Sequence, residues 1–134
     1  MYKRFLLLGS CCAFVGVAMG AFGAHVLKTM MSPELLVVYQ TGVTYQMWHA
    51  MALICVALIS QSNLSSIFLN CAGWLFFTGI VLFSGSLYLL ALLNIKWLGM
   101  ITPVGGICFL GGWLLLVVCS VKNHSNKGVI HERD

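Results

Sequence analysis

Four stretches of this chain hold almost nothing that water would retain: Phe5 to Ala24, roughly Tyr45 to Ser60, Ile67 to Leu93, and Trp97 to Val121. Each approaches the ~20 apolar residues that carry an α-helix across ~30 Å of hydrocarbon. A backbone in hydrocarbon must bond to itself, as helix or as closed barrel. Barrel strands would read as alternating segments of ~10 residues, and no such segments occur in the sequence. Only 7% of the residues are charged, against roughly 25% in soluble domains, too few to clothe a water-facing surface. The expectation is an all-α, polytopic membrane protein: one domain, a four-transmembrane-helix bundle with spans near 5–25, 43–60, 67–93 and 100–121.

Charge sets the orientation. Lys3, Arg4, Lys122, Lys127 and Arg133 fall on one side of a four-span chain, and Lys28 and Lys96 on the other. The positive-inside rule then puts both the N and C termini in the cytoplasm. The net charge of +4 is small. It forms no Arg-rich or aromatic-interleaved patch, so a nucleic-acid partner is excluded. The first run competes with two processing signals, Ala18-Met19-Gly20 as a cleavage site and Leu8-Gly9-Ser10-Cys11 as a lipoprotein box. Phe5 to Leu8 is too short for a lipoprotein core, and the apolar run continues past Gly20, so the segment reads as a retained span.

Gly9, Ala13, Gly16, Gly20 and Ala24 leave one face of the first helix nearly bare. Helices in lipid associate by close backbone approach, so this stripe is a packing seam, within the chain or against a second copy or another membrane protein. Gly73, Gly79 and Gly85 offer a seam on the third helix, and Gly105, Cys108 and Gly112 one on the fourth. Ser32-Pro33-Glu34 is a helix start: hydroxyl cap, first-turn proline, and a carboxylate near the positive helix end. From Pro33 the pattern stays helical to about Ser60, longer than a bilayer needs, so residues 33–42 are expected at the outer interface with a bend near Gly42. QSNLSS, Gln61 to Ser66, is a turn whose Ser65 or Ser66 can cap the third helix. Asn94 and Lys96 close that helix, and Thr102-Pro103 opens the fourth. Residues 122–134 form a polar tail expected to be mobile.

The six cysteines show no C-x-x-C and no pairing for an exported disulfide, so they read as small apolar thiols, with acylation of Cys11 and Cys12 the alternative. Tyr39, Gly42, Gln46 and His49 share a stripe of the second helix, which should face its neighbours rather than lipid. With both termini inside, His25, Tyr45, Gln46, His49, Ser84, Ser86, Tyr88 and Thr102 are expected to gather as one polar pocket under the outer headgroups. A membrane-depth imidazole can ligate a metal or haem, relay protons, or hydrogen-bond to a neighbouring helix. The three carboxylates are Glu34, Glu132 and Asp134. None can pair within the bilayer, so neither a catalytic site nor a resident cofactor or metal is expected. The leading expectation is a non-enzymatic protein whose pocket serves a partner, a lipid or a small solute. One alternative is a redox or metal/haem-binding protein using His25 and His49, and another a small oligomeric transporter or channel.

GAFGAH with Leu27, then YQTGVTYQMWHA, GWLFFTGIVLFSGSLYLLAL and TPVGGICFLGGW, in that order, resembles the small bacterial inner-membrane family known as domain of unknown function 423, related to a small mitochondrial transmembrane protein. The likeness runs from about Gly9 to Leu116. It implies a four-span helical protein of the plasma membrane and carries no activity with it. Family-pattern positions are Gly20 through His25, Thr41, Tyr45, His49, Ser84, Gly85, Ser86, Tyr88, Thr102, Pro103, Gly105 and Gly106. A tryptophan often precedes the Gln-Thr pair in that family, whereas Tyr39 stands there in this chain.

Overall fold

The computed structural model describes the backbone of residues 2–61 and 67–131, and the side chains of residues 2–61 and 67–122. It is a bundle of four long helices: α1 (Tyr2–Met30), α2 (Pro33–Ile59), α3 (Ile67–Leu93) and α4 (Thr102–His131). All four are long and apolar enough to cross a membrane, α4 being counted from the short 3₁₀ turn Lys96–Met100 that precedes it. Helix α1 packs chiefly on α2 and helix α4 chiefly on α3, so the bundle is two antiparallel hairpins laid together.

The helix boundaries follow local chemistry. Ser32 caps α2, its Oγ accepting from the Leu35 amide at 3.4 Å, with Pro33 at the first helical position. The α2 helix is continuous through Gly42, so residues 33–42 belong to one unbroken helix with the span. Asn94 ends α3 in the left-handed region, φ 55°, a conformation that asparagine adopts more readily than branched residues. Helix α4 continues beyond Val121 to His131. The serine cap expected for α3, Ser65 or Ser66, lies outside the described residues.

Two helices widen locally into π turns, α1 at Gly23–Leu27 and α3 at Ile80–Ser84. Such turns recur at functional sites. The second faces α4, where Gly105 lies against the Phe83 backbone itself.

Glycines take aromatic rings across every major seam. The Phe5 ring sits over Gly73 and the Tyr39 ring over Gly23. On the α3–α4 face the exchange is reciprocal, Phe109 against Gly79 and Phe76 against Gly112. A ring this close to a backbone gains dispersion contacts on both faces of the seam, which supplies cohesion where burial from water cannot. On the α1–α2 face Gly9 abuts Ile54 and Ala50, Gly16 abuts Met47, and Gly20 touches Val43. A Cβ added at Gly85 would meet nothing within 4 Å, so no neighbouring helix closes on that position as one does at Gly79.

Two apolar clusters result. One holds Phe5, Leu53, Val56, Leu69, Phe76, Ile80 and Phe109, and the other Leu27, Tyr39, Tyr88 and Ala91. Leu7, Phe14, Val17, Leu110 and Leu114 cover the outside, as a lipid-facing surface requires. At the chain ends of the hairpin, Lys122 Nζ stands 4.4 Å from the Phe68 ring centroid, a cation–π contact that ties the end of the fourth span to the start of α3.

Candidate functional site

Between the two clusters α2 carries its polar stripe, and Tyr39, Gly42, Gln46 and His49 are all buried. Gln46 spans the bundle. Its Nε2 donates to the Cys12 carbonyl on α1 at 2.8 Å, and its Oε1 accepts from the Tyr88 hydroxyl on α3 at 2.8 Å. Tyr39 stacks at a tilt on Tyr88, centroids 5.1 Å apart, and donates to the Met19 carbonyl at 2.9 Å. Every polar atom of this crosslink that carries a proton has an acceptor, so the chain of bonds is structural in kind.

His49 sits differently. It is 6% exposed, with its ring stacked on Phe109 at 3.5 Å and 10°. Nδ1 lies 2.7 Å from the Tyr45 carbonyl one turn back, so Nδ1 carries the proton and donates. Nε2 is therefore the lone-pair nitrogen, and it accepts from the Trp113 indole N–H at 3.2 Å. The two neighbours together fix a neutral imidazole with one defined acceptor atom.

His49 borders a groove of about 490 Å³, lined by Tyr45 and His49 from α2, Phe83 from α3, and Pro103, Gly106, Ile107, Phe109, Leu110 and Trp113 from α4. The volume falls in the range of small-molecule sites, and the lining has their character: apolar and aromatic walls with a few convergent polar atoms. Tyr45 stacks on Phe83 at 4.5 Å and 27°, and lies within 18° of the plane of His49. Tyr45, His49 and Phe109 thus form a set of near-parallel rings. The groove is open on one side, and Tyr45 and Trp113 are 42% and 47% exposed.

The eight residues expected to share one pocket divide among several places. Tyr45 and His49 meet in the groove, and Gln46 and Tyr88 meet in the crosslink. Ser86 and Thr102 join α3 to the start of α4 at 2.8 Å; because Ser86 donates to the Phe83 carbonyl, Thr102 is the donor between them. Ser84 is fully buried in the π turn, and among the described residues its hydroxyl is the one buried side-chain polar atom with no hydrogen-bond partner. His25 is exposed on the π turn of α1.

The distance between the histidines follows from the helix register. Gly23, two residues before His25, abuts Tyr39, and His49 is ten residues further along α2, about 15 Å at helical rise. The pair therefore cannot ligate one metal or haem between them. No group of three His, Cys, Asp or Glu side chains able to hold a metal comes together among the described residues.

Along α2, His49 is sixteen residues from Pro33 and ten from Ile59, about 24 and 15 Å, while on α4 the groove begins at Pro103, one residue into the helix. Within residues 33–42 of α2, Tyr39 and Gly42 are buried, and Pro33, Glu34, Val37 and Gln40 are exposed. Phe109 and Trp113, the two partners of the imidazole, had no polar signal to mark them in the sequence; only their spacing of four on one helix face could have paired them.

Residues 19–106 match the family described as a protein of unknown function, DUF423. The chain belongs to the DUF423 family. Among curated proteins, this DUF423 chain is 48% identical over 120 residues to a UPF0382 membrane protein of Staphylococcus haemolyticus, covering 90% of the chain and 97% of the relative. It is 47% identical over 122 residues to the UPF0382 membrane protein YwdK of Bacillus subtilis, covering 90% and 98%. No solved structure matches with significance. The resemblance read from GAFGAH to TPVGG is thus shown at family level, and the four-helix membrane architecture agrees with relatives that are themselves named membrane proteins.

Proposed function

We propose that this DUF423 protein is a non-enzymatic component of the bacterial plasma membrane, both termini cytoplasmic, that holds a lipid-soluble molecule in the groove between α2, α3 and α4. The observation that supports this most is the seating of His49. A single imidazole acceptor within the span of α2, beside near-parallel aromatic rings and an open volume of about 490 Å³, is the composition of a binding slot. Carboxylate chemistry is unsupported, since Glu34 stands at a helix start and the other two acids are in the tail. The basic residues at both chain ends support the orientation.

The test is to purify the wild type and Gly106→Leu from native membranes under mild conditions and compare the small molecules extracted from each by mass spectrometry. Gly106 lines the groove, and a Cβ there meets only Phe83 ring carbons at 3.9 Å, so the larger side chain fills the slot without displacing a helix. A molecule enriched with the wild type and depleted from the variant is expected. Extracts that match in every component would overturn the proposal.

A further inference from the structure

We infer that the molecule held in the groove is a ring-bearing, lipid-soluble alcohol of the phenol or hydroquinone class, whose hydroxyl donates to Nε2 of His49. This rests on the groove reading above and adds the chemistry of recognition.

Three observations lead to it. First, Nδ1 is committed to the Tyr45 carbonyl at 2.7 Å, so Nε2 can only accept. A ligand carrying carbonyl or ether oxygens alone offers that nitrogen nothing, whereas a hydroxyl offers a proton. Second, the present donor to Nε2 is the Trp113 indole, at 3.2 Å and on a side chain 47% exposed at the groove wall. An N–H···N contact of that length sits at the long end of hydrogen-bond distances, and an exposed indole can rotate away without emptying the core. Third, Tyr45, His49 and Phe109 already stand within 10° to 27° of one another. A further flat ring extends such a set in offset stacking, while a saturated chain does not.

The mode of recognition is an exchange of donors: the indole N–H leaves Nε2, the ligand hydroxyl takes its place, and no bond is made or broken covalently. The Tyr45 hydroxyl, from the same groove wall, is the available donor for a second oxygen across the ring, which is what distinguishes a hydroquinone from a simple phenol. The groove runs along α4 from Pro103 to Trp113 and is open on one side, so the ligand class is one that dissolves in the bilayer and enters sideways from lipid.

The experiment uses full-length protein in phosphatidylcholine nanodiscs and two probes matched in everything but the proton, para-octylphenol and its methyl ether para-octylanisole. Binding is referred to probe concentration in the bilayer, and the Trp113 indole N–H resonance reports the site. The phenol is expected to bind about tenfold more tightly than the ether, the scale of one neutral hydrogen bond, and to shift the indole resonance. His49→Phe keeps an aromatic ring in the stack and should bind both probes alike. Trp113→Phe removes the competing donor, so it should strengthen phenol binding severalfold and leave the ether unchanged, which keeps the test decisive if the His49 variant fails to fold. Equal affinity of the two probes in the wild type overturns the hydroxyl assignment while leaving a groove that binds. Absence of saturable binding by either probe overturns both.

Discussion

Gly105→Ala probes the tightest backbone approach in the bundle. A methyl group at Gly105 would lie 2.8 Å from both Cα and Cβ of Phe83, and closer still to its amide nitrogen. These are largely main-chain atoms in the π turn of α3, so no side-chain rotation relieves the overlap. Restoring an ordinary carbon contact of about 3.5 Å requires α3 and α4 to part by at least ~0.7 Å. A gap of that size forfeits roughly a quarter to a half of each dispersion contact along the seam, and forced insertion into a packed interior costs about 1–3 kcal/mol. Gly106→Ala, one residue on, is the matched control, because its methyl would meet Phe83 ring carbons at 3.9 Å. Both changes replace glycine by alanine in one helix, so the propensity gain of about 1 kcal/mol is common to both and cancels. Gly105→Ala should therefore be less stable than Gly106→Ala by about 1–3 kcal/mol. Unfolding in mixed micelles with rising dodecyl sulfate, followed by far-ultraviolet circular dichroism, measures the difference. Two variants that unfold within about 0.5 kcal/mol of each other, the range of inconsequential substitutions, would refute the reasoning.

Two further substitutions test the polar layer. Gln46→Leu removes the donor to the Cys12 carbonyl and the acceptor of the Tyr88 hydroxyl; the same titration should show a loss of about 0.6–2 kcal/mol, and a double-mutant cycle with Tyr88→Phe should show coupling, whereas strict additivity would mean that the crosslink does not form. Ser84→Ala deletes a buried hydroxyl that has no partner, so stability should rise by about 1 kcal/mol or more; a fall would reveal that Ser84 is bonded in the membrane.

How far the sequence anticipates this molecule depends on what each signal measures. Length and hydropathy suffice for four spans, and Ser32-Pro33 suffices for the start of α2, since both are properties of a segment by itself. The stripe Tyr39, Gly42, Gln46 and His49 marks the buried face of α2 because polar side chains at helical spacing avoid lipid. The identity of the partners across each seam is not legible in the same way. Phe109 faces a neighbouring helix and Leu110, beside it, faces outward; both surroundings are apolar, so hydrophobic periodicity cannot tell them apart. Gly85 shows the same limit from the other side, a glycine at seam spacing where an added Cβ would meet nothing within 4 Å. The π turns escape notice too, because a one-residue widening leaves no compositional trace, yet the turn at Ile80–Ser84 brings the Phe83 backbone against Gly105.

The reciprocal seating of Phe109 on Gly79 and Phe76 on Gly112 has a mechanical corollary. Sliding α4 along α3 by one turn, about 5.4 Å, would lift both rings from their notches at once and drive them into side chains. The pair is toothed like a rack, free to lean but not to shear. A bilayer that thins or thickens around it must accordingly be met by tilting the whole hairpin.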